Sequence, residues 1–358
     1  MSDVRTISPK KVLKALRHAM SKKRPVFLWG PPGIGKSDIV AQVTKSFANS
    51  LLIDIRLSLW DPTDIKGVPY FDANISKMVW GAPEELPDDA LAAQYDNIVV
   101  FFDEMNSAAP AVQAAAYQLI LNRRVGKYKL PDNVIIVAAG NRESDKGVTY
   151  RMPSPLANRF VHLEMGVDFG DWFDWAVVNN QHKDVVGYLT FAKQDLYDFD
   201  PRSSSRSFAT PRSWAFVSEL LEDSLDENTT TDLVAGAVGE GLAIKFMAHR
   251  KIAGTMPNPS DILDGKVKEM KTKEISAMYS LTVSLCYELK EAANNNDKKF
   301  DEKVHYFLRF AMDNFETELV VMGIKLALTQ YALPIDPDEV ECFDEFHERF
   351  GKYIKASS

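Results

Sequence analysis

The stretch FLWGPPGIGKSDIV, residues 27–40, decides how this chain is read. An apolar run from Val26 to Trp29 gives way to glycine and proline, ends in Gly35-Lys36-Ser37, and is followed by a fresh apolar pattern. Phosphate binding calls for such a buried strand, then a loop almost without side chains, with one lysine at its end. Glycines let backbone N–H groups close on phosphate oxygens, and the helix that follows adds its positive N-terminal end. The spacing Gly30, four residues, Gly35-Lys36-Ser37 fits the phosphate-loop pattern in full, with a strand before it and a helix after it. Lys36 is the candidate for the outer phosphates and Ser37 offers a hydroxyl to Mg²⁺. Gly30, Pro31, Pro32, Gly33, Ile34, Gly35 and Asp38 complete the nucleotide-binding stretch.

The rest of the chain sets bounds on this reading. At 358 residues there is room for two or three domains, each with its own core. An apolar share of 46% and a charged share of 26% are those of an ordinary soluble globular protein. No apolar run reaches the length of a membrane span, and the N-terminus is polar and helical rather than signal-like, so a cytoplasmic protein is expected. Cys286 and Cys342 alone make neither a metal site nor a disulfide framework. The net charge of −8 argues against wide coating by nucleic acid, while leaving room for a local basic pore.

Ser8-Pro9 reads as an N-cap and first helical residue, opening an amphipathic helix to about Met20 with a basic face. Strand signals recur at 25–29, 51–57, 97–102, 133–139 and 160–164, most of them continuous apolar runs suited to strands buried on both faces. Helical patterns at 36–48 and 109–122 separate some of them, which predicts a mainly parallel α/β sheet. From 168 onward strand signals fade. Helices are expected at 168–180, 183–193, 211–223, 231–250, 267–293, 300–330 and 337–355.

Four further stretches carry chemistry. In NIVVFFDEMN, Ile98 to Phe102 end in Asp103-Glu104, which puts two carboxylates at the C-terminal tip of a buried strand, where open α/β sheets bind ligands. Asp103 is a candidate for Mg²⁺ and Glu104 for polarising an attacking water. The buried strand VIIVAAGN ends in Asn141, whose amide can orient a water or simply make a turn. In SPLANRF, Arg159 follows a short helix and is either an arginine finger or a surface ion-pair residue. In FATPRSW, Arg212 falls in the first turn of a helix, where a cation is mildly unfavourable by dipole and a compensating anion is implied.

The order phosphate loop, Asp-Glu strand, Asn strand, Arg helix, Pro-Arg helix resembles the AAA+ ATPases, and more narrowly their MoxR-like branch, over residues 5–255. In that resemblance GPPGIGKS is Walker A, VVFFDE is Walker B, Asn141 is sensor 1, Arg159 is the arginine finger and Arg212 is sensor 2. DPTDIKGVPYFDANISKMVWGAPEELP is similar to the insert after the second strand of the branch, and DEMNSAAPAVQAAAYQLILNRRVGKYKLP to its Walker B helix and hairpin. Ser107 stands where many members have arginine, and Ala116-Tyr117 where Leu-Glu is common, so no role is carried to those positions. Residues 256–358 match no family pattern.

The resemblance implies an AAA+ α/β core at 1–165, a helical linker and lid carrying sensor 2 at 166–255, and a helical C-terminal region at 256–358. It implies Mg²⁺-dependent hydrolysis of ATP in a ring of subunits, six being usual, with Arg159 serving a neighbour. The run NRESD after Asn141 lacks the signature that reads guanine, which favours ATP. The first expectation for the work done is remodelling of a protein client, with a separate von Willebrand A domain protein as a possible partner. A nucleic-acid translocase or nuclease-associated motor is the alternative, permitted by Arg123, Arg124, Lys127 and Lys129 around one hairpin. Tyr128 in that hairpin either grips a client or packs against its own insert.

Overall fold

A computed structural model describes residues 5–81, 83–145, 150, 152–223, 225–270 and 274–355. The chain divides into two compact units, one comprising Met1–Asp171 with Asp200–Ser203, the other Trp172–Phe199 with Ser204–Ser358.

The first unit is built on strands β1 (Thr6–Ile7), β2 (Val26–Trp29), β3 (Ser50–Arg56), β6 (Asn97–Asp103), β9 (Val134–Gly140) and β10 (Val161–Met165). They pair in parallel in the order β1-β10-β2-β9-β6-β3. β2, β6 and β9 are buried almost throughout, as the unbroken apolar runs required. Two antiparallel hairpins stand apart from the sheet, β4 (Val68–Asp72) with β5 (Lys77–Gly81) and β7 (Arg124–Val125) with β8 (Tyr128–Lys129). The helices of this unit are α1 (Pro9–Ser21), α2 (Lys36–Lys45), α3 (Pro62–Lys66), α4 (Asp89–Ala92), α5 (Pro110–Asn122) and α6 (Ser154–Ala157). Phe27, Val100, Phe102, Ile136 and Ala138 share one apolar cluster with Val112, Ala115, Ala116 and Leu119 of α5. Ala116 is fully buried, so its small side chain lets α5 lie close on the sheet. Beside it the hydroxyl of Tyr117 donates to Gln113, and burial pushes the Tyr117 phenol up to about 12.

This topology positions the site. Trp29 is level with Gly140, and Phe102 with Ala138, so three strands end together and release the residues that follow at one edge. β9 lies between β2 and β6, although it comes last of the three in sequence.

The remainder is helical: α7 (Phe169–Val178), α8 (Lys183–Phe191), α9 (Pro211–Leu220), α10 (Glu227–Val238), α11 (Glu240–Ala253), α12 (Pro259–Leu263), α13 (Ile275–Asn294), α14 (Phe300–Asn314), α15 (Thr317–Lys325) and α16 (Phe343–Lys355). Within the second unit α8 packs on α13 so closely that a Cβ on Gly187 would lie 2.4 Å from Ser280 Oγ. Trp214, Phe246 and Phe307 are among its fully buried side chains.

Several helices expected as single segments are divided. The pattern at 231–250 is two helices broken at Gly239, whose φ of 95° and ψ of 150° leave the helical region entirely. The pattern at 300–330 breaks at Phe315, which is extended, and ends in a widened turn in which the Tyr331 amide reaches back to the Leu326 carbonyl. The pattern at 267–293 starts only at Ile275, and the one at 337–355 only at Phe343. Apolar periodicity survives across such breaks, because both helices of a pair bury one face against the same core. Among the described residues no helix is long and apolar enough to cross a membrane.

Candidate functional site

The loop after β2 has the backbone that its glycines suggest. Gly33 and Gly35 have φ of 74° and 87°, a region that favours glycine. A Cβ on Gly30 would lie 2.7 Å from Ile34 Cδ1 and 2.9 Å from the Met165 carbonyl oxygen, so the loop packs against the end of β10 without room for a side chain. α2 opens directly from Gly35 with no side-chain cap, which leaves its first amides for an anion. Lys36 is buried in this loop. Its Nζ donates to the Gly30 carbonyl at 2.7 Å, the Pro31 carbonyl at 3.0 Å and Asn141 Oδ1 at 3.1 Å. Asp38 is exposed in the first turn of α2.

The carboxylate that ends β6 meets the first turn of α2. Ser37 Oγ donates to Asp103 Oδ2 at 3.0 Å, while Asp103 Oδ1 accepts the Glu104 amide at 2.8 Å. A hydroxyl and a carboxylate held side by side are hard oxygen donors of the kind Mg²⁺ takes, so these residues fit that ion. Glu104 itself is strained, with φ 52° and ψ 32°, the left-handed region that non-glycine residues rarely occupy. Its Oε2 accepts from Ser58 Oγ at 2.5 Å.

Asn141 is held on several sides. Its side chain meets Lys36, and its carbonyl accepts Asn106 Nδ2 at 2.7 Å. The next residue, Arg142, bonds Asp145 through its amide at 3.0 Å and Glu164 Oε1 through Nη1 at 3.2 Å. Glu164 is buried in β10 and also accepts from Thr6 Oγ1 at 3.1 Å. Arg142 is therefore engaged within its own chain. Arg159 is exposed after α6 and makes no ion pair among the described residues. Arg212 is exposed in the first turn of α9 in the second unit, behind a capping box formed by Thr210 and Ser213.

The β7–β8 hairpin turns Val125 and Tyr128 inward and leaves Arg124, Lys127 and Lys129 exposed. Tyr128 is packed on the core cluster, its hydroxyl donates to the Pro87 carbonyl at 2.7 Å, and burial raises its phenol. Of the two readings of Tyr128, packing against the insert is the observed one. Arg123 donates to the carbonyls of Pro131 at 2.6 Å and Val134 at 3.0 Å, which commits that cation to the fold.

Lys36, Ser37, Asp103, Glu104 and Asn141 thus converge at one sheet edge. Ser58 and Asn106 touch these residues directly and Glu164 braces Arg142 behind them, and sequence reasoning passed all three over. Asn106 has a faint signal, three residues after Asp103 in DEMN, but Ser58 in RLSLW has none.

A phosphate loop joined to a strand-end carboxylate pair in a parallel sheet defines a P-loop nucleotide-binding protein. Residues 26–165 match the family model described as "ATPase family associated with various cellular activities (AAA)". Over those residues the chain is similar to the AAA+ P-loop ATPases, and over a comparable stretch it is similar to a MoxR protein. It is 26% identical over 201 residues to midasin of Giardia intestinalis, covering 53% of this chain and 4% of that one. It is 25% identical over 163 residues to protein MoxR of Methylorubrum extorquens, covering 44% of this chain and 45% of that one. The chain thus spans less than half the length of these curated relatives. Among solved structures it is similar to NtrX from Brucella abortus, with 14% identity, 91% and 69% of the two chains covered and a TM-score of 0.40. A mutant RuvB of Thermotoga maritima follows, with 17% identity, 85% and 86% covered and a TM-score of 0.36.

Proposed function

We propose that this chain hydrolyses ATP to ADP and phosphate with Mg²⁺, and that a ring of its subunits uses the cycle to remodel a protein client. The observation that carries the chemistry is the convergence of Lys36, Ser37, Asp103, Glu104 and Asn141 at one sheet edge. Lys36, the loop amides from Gly30 to Gly35 and the start of α2 bind the phosphates, with Asp38 flanking them. Ser37 and Asp103 hold Mg²⁺, which supplies charge neutralisation on the phosphate oxygens. Glu104 takes the proton of the attacking water, and Asn141 orients that water. The Ser58 hydroxyl fixes one Glu104 oxygen and leaves the other for the proton. Lys36 is bound to Asn141 and to two loop carbonyls, so phosphate entry exchanges those partners for phosphate oxygens.

Arg159, exposed and unpaired among the described residues, suits a role in a neighbouring subunit's site, and Arg212 suits one in sensing the terminal phosphate. In this reading residues 166–255 are the linker and lid and residues 256–358 a C-terminal helical region. Protein remodelling is favoured over nucleic-acid translocation by the net charge of −8 and by the commitment of Arg123 to carbonyls, while Arg124, Lys127 and Lys129 stay exposed.

Phosphate release and nucleotide binding test the proposal together. Glu104→Gln should bind ATP as the wild type does while turnover falls about 10²–10⁴-fold. Lys36→Ala should lose ATP-induced thermal stabilisation. Wild-type turnover by Glu104→Gln would refute its role as base. Turnover stimulated by DNA and suppressed by salt would favour the translocase.

A further inference from the structure

We propose that Asn106 is a positioning residue that fixes Asn141 for the reaction. The inference rests on the reading of Asn141 as the water-orienting amide. Asn106 lies in the 3₁₀ turn Met105–Ser107 directly after Glu104, and only 3% of it is exposed. Its Nδ2 donates to the Asn141 carbonyl at 2.7 Å, and its own carbonyl accepts the Tyr150 amide at 2.7 Å. The turn that carries the candidate base is thereby tied to the turn that carries the candidate water-orienting group. The same residue also holds the Tyr150 amide.

Two further observations point the same way. A Cβ on Gly140 would lie 2.2 Å from Asn106 Oδ1 and 2.8 Å from its Cγ, so glycine before Asn141 is what lets Asn106 in. Asn106 Oδ1 itself meets no donor among the described residues. An unpaired buried acceptor costs about 1–3 kcal/mol, which cancels the roughly 1 kcal/mol that a neutral hydrogen bond returns. An apolar replacement would remove the unpaired oxygen but strip the Asn141 carbonyl of its donor, so the two effects roughly offset in stability. What it supplies is direction. The Asn141 carbonyl is held from one side by Asn106 and the following residue from the other by the Arg142 contacts to Asp145 and Glu164. The side chain between them has its backbone fixed at both ends.

The test compares Asn106→Leu, Asn106→Ala, Asn141→Ala and the Asn106→Leu/Asn141→Ala double variant in the full chain. Asn106→Leu keeps the branched heavy-atom outline with bulkier methyl groups, and removes both the donor and the unpaired acceptor. It should melt close to wild type, while kcat falls on the order of 10²-fold, the cost of a misplacement near 1 Å, with KM for ATP little changed. The double variant should be no slower than Asn141→Ala, because both losses act through one group. Gly140→Ala should lower the melting temperature in wild type and less in Asn106→Ala, where the space is vacated. This last comparison needs no turnover. Asn106→Leu turning over at the wild-type rate, or losses that multiply in the double variant, would overturn the inference alone. If the wild type released no phosphate, the proposed function would fall and the positioning role with it. An equal cost of Gly140→Ala in both backgrounds would remove the contact on which the inference stands.

Discussion

Replacing Arg142 with methionine should destabilise the first unit through a carboxylate that never touches the reaction. Glu164 in β10 has 6% of its side chain exposed, against 33% for Arg142, and the two meet at 3.2 Å. Arg142→Met keeps most of the stem's packing but leaves Glu164 without its guanidinium. Breaking a fully buried pair from one side costs about 3–5 kcal/mol. Arg142 is partly solvated, and Thr6 Oγ1 and other contacts still engage Glu164, so a cost of at most about 2 kcal/mol is expected. For a unit of this size that upper bound is a fall in melting temperature of roughly 4–8 °C. The assay is thermal unfolding followed by near-UV dichroism, with the second unit's transition as internal reference. Arg142→Met/Glu164→Gln should recover most of the loss, since the amide carries no charge to strand, and added salt should change the wild-type midpoint little. An unchanged midpoint in Arg142→Met, or a double variant no better than the single, would refute the reasoning and leave Glu164 neutralised by other means.

Other substitutions probe separate links. Arg159→Ala should bind ATP but lose about 10³–10⁵-fold in turnover, and mixing it with Lys36→Ala should restore part of the rate; a rate indifferent to mixing and to protein concentration would rule out a shared site. Tyr128→Phe should lose about 0.5–1.5 kcal/mol of stability with the Pro87 bond and leave basal ATPase unchanged, as urea unfolding and phosphate release can check. Gly239→Ala places a Cβ 3.3 Å from the Ser207 carbonyl at a φ of 95°, and should cost roughly 1–3 kcal/mol, read from the unfolding transition of the second unit.

By itself the sequence determined the parts of this protein whose cause is local. A loop that must close backbone amides on phosphate needs glycines at fixed offsets, and Gly33 and Gly35 adopt the positive φ that the motif implies. A strand covered on both faces must be apolar throughout, so β2, β6 and β9 were legible within a residue or so, as were the tip positions of Asp103 and Asn141. The motif order carried the AAA+ reading, which the family match over residues 26–165 supports independently. Only the tertiary structure decided which side chains those tips would meet. Ser58 reaches Glu104 across 46 residues, Asn106 reaches Asn141 across 35, and Arg142 reaches Glu164 across 22. Such contacts depend on strand register and on how two turns face one another, and neither leaves a period or spacing along the chain. Tyr128 was undecided for the same reason: an aromatic residue in a hairpin looks alike whether it faces solvent or the Pro87 carbonyl. The helix breaks at Gly239 and Phe315 were hidden because burial against a common core preserves apolar periodicity on both sides of a turn.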